Sequence, residues 1–166
     1  VSEGQMMAMR RAAWKGGTPE ASPKLDALVD ICDSAKENGH KVLVFSFFRD
    51  VIETVQEHVT EAKFPAITGD VPNDERQKII DDFTSAEAGA VMTAQIIAGG
   101  VGLNIQAANI IVLCEPQWKP STEEQAIGRA YRMGQTRNVV VYRLLTEDSI
   151  DVSMLELLGE KSKLFD

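Results

Sequence analysis

The stretch Lys41-Val42-Leu43-Val44-Phe45-Ser46 decides the fold class of this 166-residue chain. It is a short, continuous apolar run rather than an alternating one. Residues at helical spacing flank the run: Leu25, Leu28, Cys32 and Ala35 before it, and Ile52, Val55, Val59 and Ala62 after it. A short apolar run between two helices is typical of a parallel strand that is covered on both faces.

The same alternation of short apolar runs and helical segments continues along the chain. We predict further strands at residues 64–67, 90–93, 109–113 and 139–145, and a helix whose inner face carries Ile79, Ile80 and Phe83. A last helix is predicted from the spacing of Ile150, Met154, Leu157 and Leu158. Strands that alternate with helices indicate right-handed crossovers, so we expect an α/β fold with three layers (α/β/α) and a mostly parallel sheet. In such sheets ligands bind beyond the carboxyl ends of the strands.

Composition places the chain among globular proteins. It is 44% hydrophobic and 25% charged, with a formal net charge of −8. A protein that wraps nucleic acid with its whole surface would be basic, so any nucleic-acid contact must be local. The two cysteines, Cys32 and Cys114, are far apart in apolar settings and are interpreted as buried small hydrophobes. No metal-ligand spacing, signal peptide or membrane-spanning run is present.

The chain divides into two parts. Residues 1–21 are predicted to form a helical arm and a linker, which begins at the Gly16-Gly17-Thr18-Pro19 break. Residues 22–166 form the α/β domain, which opens with Ser22 as N-cap and Pro23 at the first helical position. The chain begins at Val1 rather than Met, so we interpret it as a segment of a larger protein.

A glycine-rich stretch, Ala98-Gly99-Gly100-Val101-Gly102-Leu103-Asn104, follows the 90–93 strand. Three glycines in four residues permit positive φ angles and close backbone approach, so their N–H groups can face a phosphate. The alternative is a tight turn between a strand and a helix. The stretch is not a Walker A loop, because no Gly-Lys-Ser or Gly-Lys-Thr occurs in the chain.

A second stretch with phosphate-binding character runs from Gln125 to Gln135. It follows Ser121-Thr122-Glu123-Glu124, a capping box that opens a helix. On this helix Gln125, Arg129 and Arg132 are spaced four and three residues apart, so they share one face. Two guanidiniums and an amide on one face suit contact with phosphates. The alternative is a solvated, Arg-rich end of a helix.

Taken together, these residues resemble the Swi/Snf-type ATPases of helicase superfamily two. The stretch 98–104 resembles motif V of that family, 125–135 resembles motif VI, and 41–46 resembles motif IV. Thr68-Gly69-Asp70 with Arg76-Gln77, and Pro116-Gln117-Trp118-Lys119-Pro120, are similar to two further family segments. The match covers residues 22 to about 160 in order. Tyr131-Arg132-Met133-Gly134-Gln135 has a bacterial character.

The resemblance implies that the chain is the second, RecA-like lobe of a two-lobe, DNA-stimulated ATPase. ATP would lie between the lobes, and the missing first lobe would supply the Walker A Lys and the ligands of Mg²⁺. Arg129 and Arg132 match the arginine fingers of the family, and Gln125, Gly100 and Gly102 match its ATP-cleft positions. The isolated chain is therefore expected to be inactive.

The resemblance also implies contacts with double-stranded DNA. Ser46, Arg49 and Gly69 match positions that face the DNA backbone, and such contacts follow phosphates without reading sequence. The expected partners are duplex DNA and the first lobe of the same chain, and the expected location is the bacterial cytoplasm, on the nucleoid. One departure is Ile96-Ile97, where the family has a Lys or Arg. Two alternatives remain open: an RNA helicase lobe, and a non-catalytic module that binds a nucleotide or a protein.

Overall fold

The computed structural model describes residues 23–95, 107–115, 137–146, 149–158 and 161–165. These residues form three helices and six strands in the order α1, β1, α2, α3, β2, β3, β4, β5, β6. The helices are α1 (Pro23–Glu37), α2 (Arg49–His58) and α3 (Asn73–Ser85). The strands are β1 (Val42–Ser46), β2 (Val91–Gln95), β3 (Ile110–Leu113), β4 (Arg137–Thr146), β5 (Ser149–Leu158) and β6 (Lys161–Phe165).

All six strands belong to one sheet in the order β2-β1-β3-β4-β5-β6. The first four are parallel to one another, and Val42 pairs with Val91 on one side and with Ile110 on the other. The last two strands add to the sheet in antiparallel fashion. As a result, the carboxyl ends of β1, β2 and β3 lie along one edge of the sheet.

Helices cover both faces of the central strand β1, which is buried along its whole length. Val42 and Val44 belong to a core cluster with residues of α1 and α2, whereas Leu43 and Phe45 belong to a second cluster with residues of α3. Successive residues of a strand point to opposite faces, so the two clusters are the two sides of the sheet. The predicted three-layer α/β/α fold is confirmed.

Helix α1 ends at Glu37, and Asn38-Gly39 follows it. The N–H of Gly39 donates to the carbonyl of Lys36 at 3.2 Å, and the N–H of His40 donates to the carbonyl of Ala35 at 2.8 Å. These two bonds form a Schellman motif, with Gly39 at a φ of 74°. The motif turns the chain from α1 into β1.

Two predicted elements differ from the structure. The strand predicted at 64–67 is reduced to an isolated bridge between Ile67 and Ala94, because this segment contributes only one ladder position beside β2. The helix predicted around Ile150 is wrong, since β5 pairs with β4 instead. The sequence carries both patterns: Ile150, Val152 and Met154 alternate with polar residues, as in a strand. Pairing with β4 selects the strand pattern and leaves Ile150 and Val152 exposed.

Candidate functional site

The carboxyl-terminal edge of β1, β2 and β3 carries a connected set of polar side chains. Ser46 is the last residue of β1, Gln95 is the last residue of β2, and Glu115 follows β3 by two positions. This is the edge at which parallel α/β sheets bind their ligands. It consists of a buried polar centre and an exposed outer part.

The buried centre is the pair of Ser46 and Glu115, which are 0% and 1% exposed. The Ser46 hydroxyl lies 3.1 Å from Oε1 and 3.0 Å from Oε2 of the carboxylate, which also accepts a hydrogen bond from the N–H of Phe47. The hydroxyl in turn accepts from the N–H of Phe48 at 3.0 Å. The carboxylate therefore fixes the first turn after β1. In this arrangement the hydrogen bonds of the Ser46 hydroxyl stabilise the loop after β1. Before the hydroxyl could contact a DNA phosphate, its bond to Glu115 would have to break.

Lys24 lies beside this pair, at the start of α1. The side chain is only 3% exposed, and Nζ donates to the carbonyl of Cys114 at 3.2 Å. The buried ammonium thus ties the first turn of α1 to the chain segment that leads into Glu115. A buried charge requires such hydrogen bonds, because desolvation without them costs several kcal/mol.

Both cysteines are free and buried, and Cys114 lies at this edge, directly after β3. Burial raises the pKa of the Cys114 thiol well above its usual value, and the nearby Glu115 carboxylate raises it further. Burial also raises the pKa of Cys32 to about 12. Neither thiol forms the thiolate that nucleophilic or metal chemistry needs, which agrees with the interpretation of both as small core residues.

Arg49 is the outermost cation of the edge, and half of its side chain is exposed. Its Nε donates to Oε1 of Gln95 at 3.3 Å, and its Nη2 pairs with Oδ2 of Asp70. Asp70 is itself 78% exposed. The guanidinium is therefore oriented by the protein and accessible from solvent.

The turn that contains Gly69 and Asp70 is held by Arg76 from the first turns of α3. Arg76 Nε donates to the carbonyl of Val71 at 2.7 Å, and Nη2 donates to the carbonyls of Thr68 at 3.2 Å and Gly69 at 3.4 Å. Gly69 is exposed. Since its carbonyl faces Arg76, the turn has a fixed shape beside Arg49.

An open pocket of about 450 Å³ lies next to Arg49 at this edge. It is lined by Phe47, Phe48, Arg49, Asp50, Glu53 and Gln95. One cation and two carboxylates in the lining make the pocket mixed in charge, and Arg49 is the one cation among its lining residues. This agrees with the local nucleic-acid contact that the net charge of −8 permits.

The predicted ATP-cleft residues lie outside the described part of the chain: Gln125, Arg129, Arg132, Gly100 and Gly102. Within residues 23–95 and the shorter described segments, no three His, Cys, Asp or Glu side chains are close enough together to hold a metal ion. None of the helices in the described part of the chain combines the length and apolar character that crossing a bilayer requires.

Sequence reasoning missed four residues that build this edge: Lys24, Asp70, Gln95 and Glu115. A signal for two of them was present, because Gln95 and Glu115 are polar residues that directly end or follow apolar strand runs. Polar residues at the carboxyl ends of neighbouring parallel strands converge on one edge. Lys24 and Asp70 carry no comparable signal, since helix starts and exposed turns commonly contain such residues.

Comparison with known proteins identifies relatives that cover most of the chain. Residues 23–134 match the family described as helicase conserved C-terminal domain. The chain is 35% identical over 137 residues to the DNA excision repair protein CSB of rice (Oryza sativa subsp. japonica), a match that spans 81% of this chain and 12% of that protein. It is 34% identical over 149 residues to an ATP-dependent helicase of Mycoplasma genitalium, with 87% of this chain and 14% of that protein covered.

The fold also has a solved counterpart. The Sulfolobus solfataricus SWI2/SNF2 ATPase core in complex with double-stranded DNA superposes with a TM-score of 0.69 and 26% identity, over 86% of this chain and 32% of that one. The sheet and its covering helices are thus those of a RecA-like C-terminal lobe. The chain spans about one eighth of the length of the rice and Mycoplasma relatives.

Proposed function

Because this chain belongs to the helicase C-terminal domain family, as a Swi2/Snf2-type lobe of helicase superfamily two, we propose that it is the second motor lobe of an ATP-dependent double-stranded DNA translocase. The observation that carries the proposal is the similarity over 86% of the chain to an ATPase core that was solved with duplex DNA. The lobe would act together with a first lobe of the same protein. Relatives far longer than this chain support that two-lobe organisation.

In this proposal one side of the ATP cleft is formed by the predicted helix that carries Arg129 and Arg132. Arg129 and Arg132 neutralise charge that builds up on the γ-phosphate in the transition state, a role that contributes ~10³-fold or more to turnover. Gln125 and the backbone at Gly100 and Gly102 line the same cleft. Support comes from the match of residues 23–134 to the family, which includes all five positions.

Mg²⁺ would accompany ATP in such a motor and would help to neutralise the charge of its phosphates. Among the residues that the structure describes, no group of three potential metal ligands occurs. We assign the Mg²⁺ ligands to the first lobe, as the family resemblance implies. The chemistry proposed for this chain consists of charge stabilisation by its arginines and requires no metal ligand from it.

The DNA-facing surface in this proposal is the edge that carries Arg49 and Gly69, whereas Ser46 is buried there and would reach a phosphate only after leaving Glu115. Arg49 supports it best, since its guanidinium is oriented, half-exposed and suited to a phosphate. Contacts of this kind bind duplex DNA without base specificity. For a bacterial protein, as the helicase of Mycoplasma genitalium suggests, the place of action is the nucleoid.

The experiment that tests the proposal compares ATP hydrolysis by two proteins, with and without duplex DNA. One is this chain alone, and the other is this chain joined to its native upstream region. We expect turnover only from the joined protein, with stimulation by duplex DNA. Hydrolysis by the chain alone would show that its nucleotide site is complete without a first lobe. Stimulation by RNA but not by duplex DNA would favour an RNA helicase, and no turnover in either protein would favour a binding module.

A further inference from the structure

Gln95 makes two side-chain hydrogen bonds with the segment that follows β1. Its Nε2 donates to the carbonyl of Phe47 at 3.1 Å, and its Oε1 accepts from Nε of Arg49 at 3.3 Å. Its own N–H donates to the carbonyl of Ile67 at 2.8 Å, which joins the turn on the other side. The half-buried amide of Gln95 therefore connects the end of β2 with the backbone of Phe47 and with the guanidinium of Arg49.

We infer that Gln95 is a positioning residue that orients Arg49 for the phosphate backbone of duplex DNA. The inference rests on the proposed function. Arg49 has a long side chain whose free rotation would oppose binding, and an anchor at Nε removes most of that freedom before DNA arrives. The anchor occupies neither Nη atom. Both Nη atoms can therefore donate hydrogen bonds to two oxygens of one phosphate after the Asp70 carboxylate has been displaced.

The Gln95 amide is suited to this task by its two opposite hydrogen-bonding ends. The N–H end requires an acceptor, and the Phe47 carbonyl fixes it, so the oxygen end points towards Arg49. A carboxylate at the same position would bind the guanidinium more strongly but would compete with a phosphate for its charge. A neutral acceptor orients the cation without adding a second carboxylate to Asp70, which a phosphate already has to displace.

The test uses the intact protein with its first lobe and measures ATP hydrolysis against duplex DNA concentration. The variants are Arg49→Ala, Gln95→Leu and the double variant. We expect Gln95→Leu to raise the DNA concentration for half-maximal stimulation about three- to ten-fold, the size of one ordinary hydrogen bond at a partly exposed site, with the maximal rate changed less than about two-fold. In the Arg49→Ala background, Gln95→Leu should add no further effect, because its target is gone.

Equal effects of Gln95→Leu in both backgrounds would overturn the inference, since they would show that Gln95 only supports the loop. Weaker DNA stimulation in Arg49→Ala, together with unchanged stimulation in Gln95→Leu, would also overturn it and leave the proposed function standing. Unchanged stimulation in Arg49→Ala would instead remove Arg49 from the proposed DNA surface, and this inference with it. Thermal unfolding verifies folding of each variant, and Gln95→Met, of similar length and uncharged, replaces Gln95→Leu if the latter does not fold.

Discussion

Ser46 and Glu115 lie 69 positions apart in the sequence, yet the Ser46 hydroxyl is 3.0 and 3.1 Å from the two carboxylate oxygens of Glu115. Both side chains are buried. The pair joins the carboxyl ends of β1 and β3, and the carboxylate also accepts from the N–H of Phe47. The buried carboxylate of Glu115 therefore holds the loop that leads to Arg49 in place.

Glu115→Ala should destabilise the chain by about 2–4 kcal/mol. The Ser46 hydroxyl and the Phe47 N–H would lose their acceptor inside the protein, and an unsatisfied buried donor costs about 1–3 kcal/mol. The free energy of unfolding from urea titration at neutral pH measures the loss. Glu115→Gln is the matched control, because the amide retains the size and one acceptor oxygen, and it should lose less than half as much. Equal losses in both variants would contradict the role of the hydrogen bonds.

Asp70→Asn should strengthen the binding of duplex DNA by the intact protein. In the free lobe the Asp70 carboxylate pairs with Nη2 of Arg49, so a phosphate has to replace it. Both groups are largely exposed, so the gain is modest, about two- to five-fold at low salt. Fluorescence anisotropy with a labelled duplex measures the dissociation constant. Asp74→Asn, on the exposed first turn of α3, removes the same charge away from Arg49, and an equal gain there would show a general charge effect.

Gly39→Ala and Gly89→Ala should both lower the stability of the chain, and Gly89→Ala should lower it more. Gly39 has a φ of 74° and open space around a Cβ atom, so alanine there costs about 1 kcal/mol from the backbone alone. Gly89 has a φ of 94°, and its Cβ would lie 2.7 Å from Cγ and 3.1 Å from Cβ of Lys36. That variant has to strain the backbone and displace Lys36, so it should lose more stability than Gly39→Ala. Thermal unfolding of the two variants gives the order, and the reverse order would contradict the packing at Gly89.

The ion pair between Lys36 and Glu61, 3.0 Å long, gives a pH dependence of stability. The hydrogen bond from Lys36 lowers the pKa of Glu61 below its usual value of 4.5. A carboxyl whose pKa falls on folding stabilises the folded state above its unfolded pKa, and this stabilisation disappears as pH drops through the folded value. The Lys36 side chain is 59% exposed and that of Glu61 22%, so solvent screens the pair and the effect stays below about 1 kcal/mol.

Comparison of the wild-type chain with Glu61→Gln measures this effect. At pH 7 the variant should be slightly less stable in urea, and the difference should shrink towards zero as pH falls below about 4.5, the usual Glu pKa. Glu57→Gln on the outside of α2 is the control for loss of a carboxylate. A difference between wild type and Glu61→Gln that persists unchanged at low pH would show that Glu61 acts through packing.

The secondary structure could be predicted from the sequence wherever a segment fits only one type of element. The run at β1 has a single interpretation, and the end of α1 is encoded by Gly39, a residue that tolerates positive φ. The segment from Ile150 fits a strand and a helix equally well, and only its pairing with β4, including the ion pair of Arg143 with Asp151, selects the strand. Such non-local pairing is not encoded in the spacing of apolar residues.

Only part of the site could be predicted from the sequence, because the remaining residues come together through tertiary structure. Ser46 and Arg49 were chosen because they match family positions that face the DNA backbone, and such a motif is recognised locally, at the end of the 41–46 stretch. Their partners Glu115 and Gln95 lie 69 and 46 positions further along the chain. They become neighbours because β1 lies between β2 and β3 in the sheet. Strand order is a property of the tertiary fold, so the partners appear only in the structure.

Arg129→Ala in the intact protein should lower the maximal rate of DNA-stimulated ATP hydrolysis about 10³-fold, with a smaller change in the KM for ATP. This split follows because an arginine finger acts on charge that develops in the transition state. Arg129→Lys should fail to restore the rate, since an ammonium lacks the planar fork of a guanidinium. Arg132→Ala should give a loss of similar kind.

Lys78→Ala is the matched control for these variants, because Lys78 is an exposed cation on α3 that the proposal assigns to no site. It should leave both kinetic constants unchanged. Retained turnover in Arg129→Ala would remove Arg129 from the catalytic role even if duplex DNA still stimulated the enzyme. A loss confined to the DNA concentration for half-maximal stimulation would move the residue from the ATP cleft to the DNA surface, because only a group that touches the reacting phosphate lowers the maximal rate selectively.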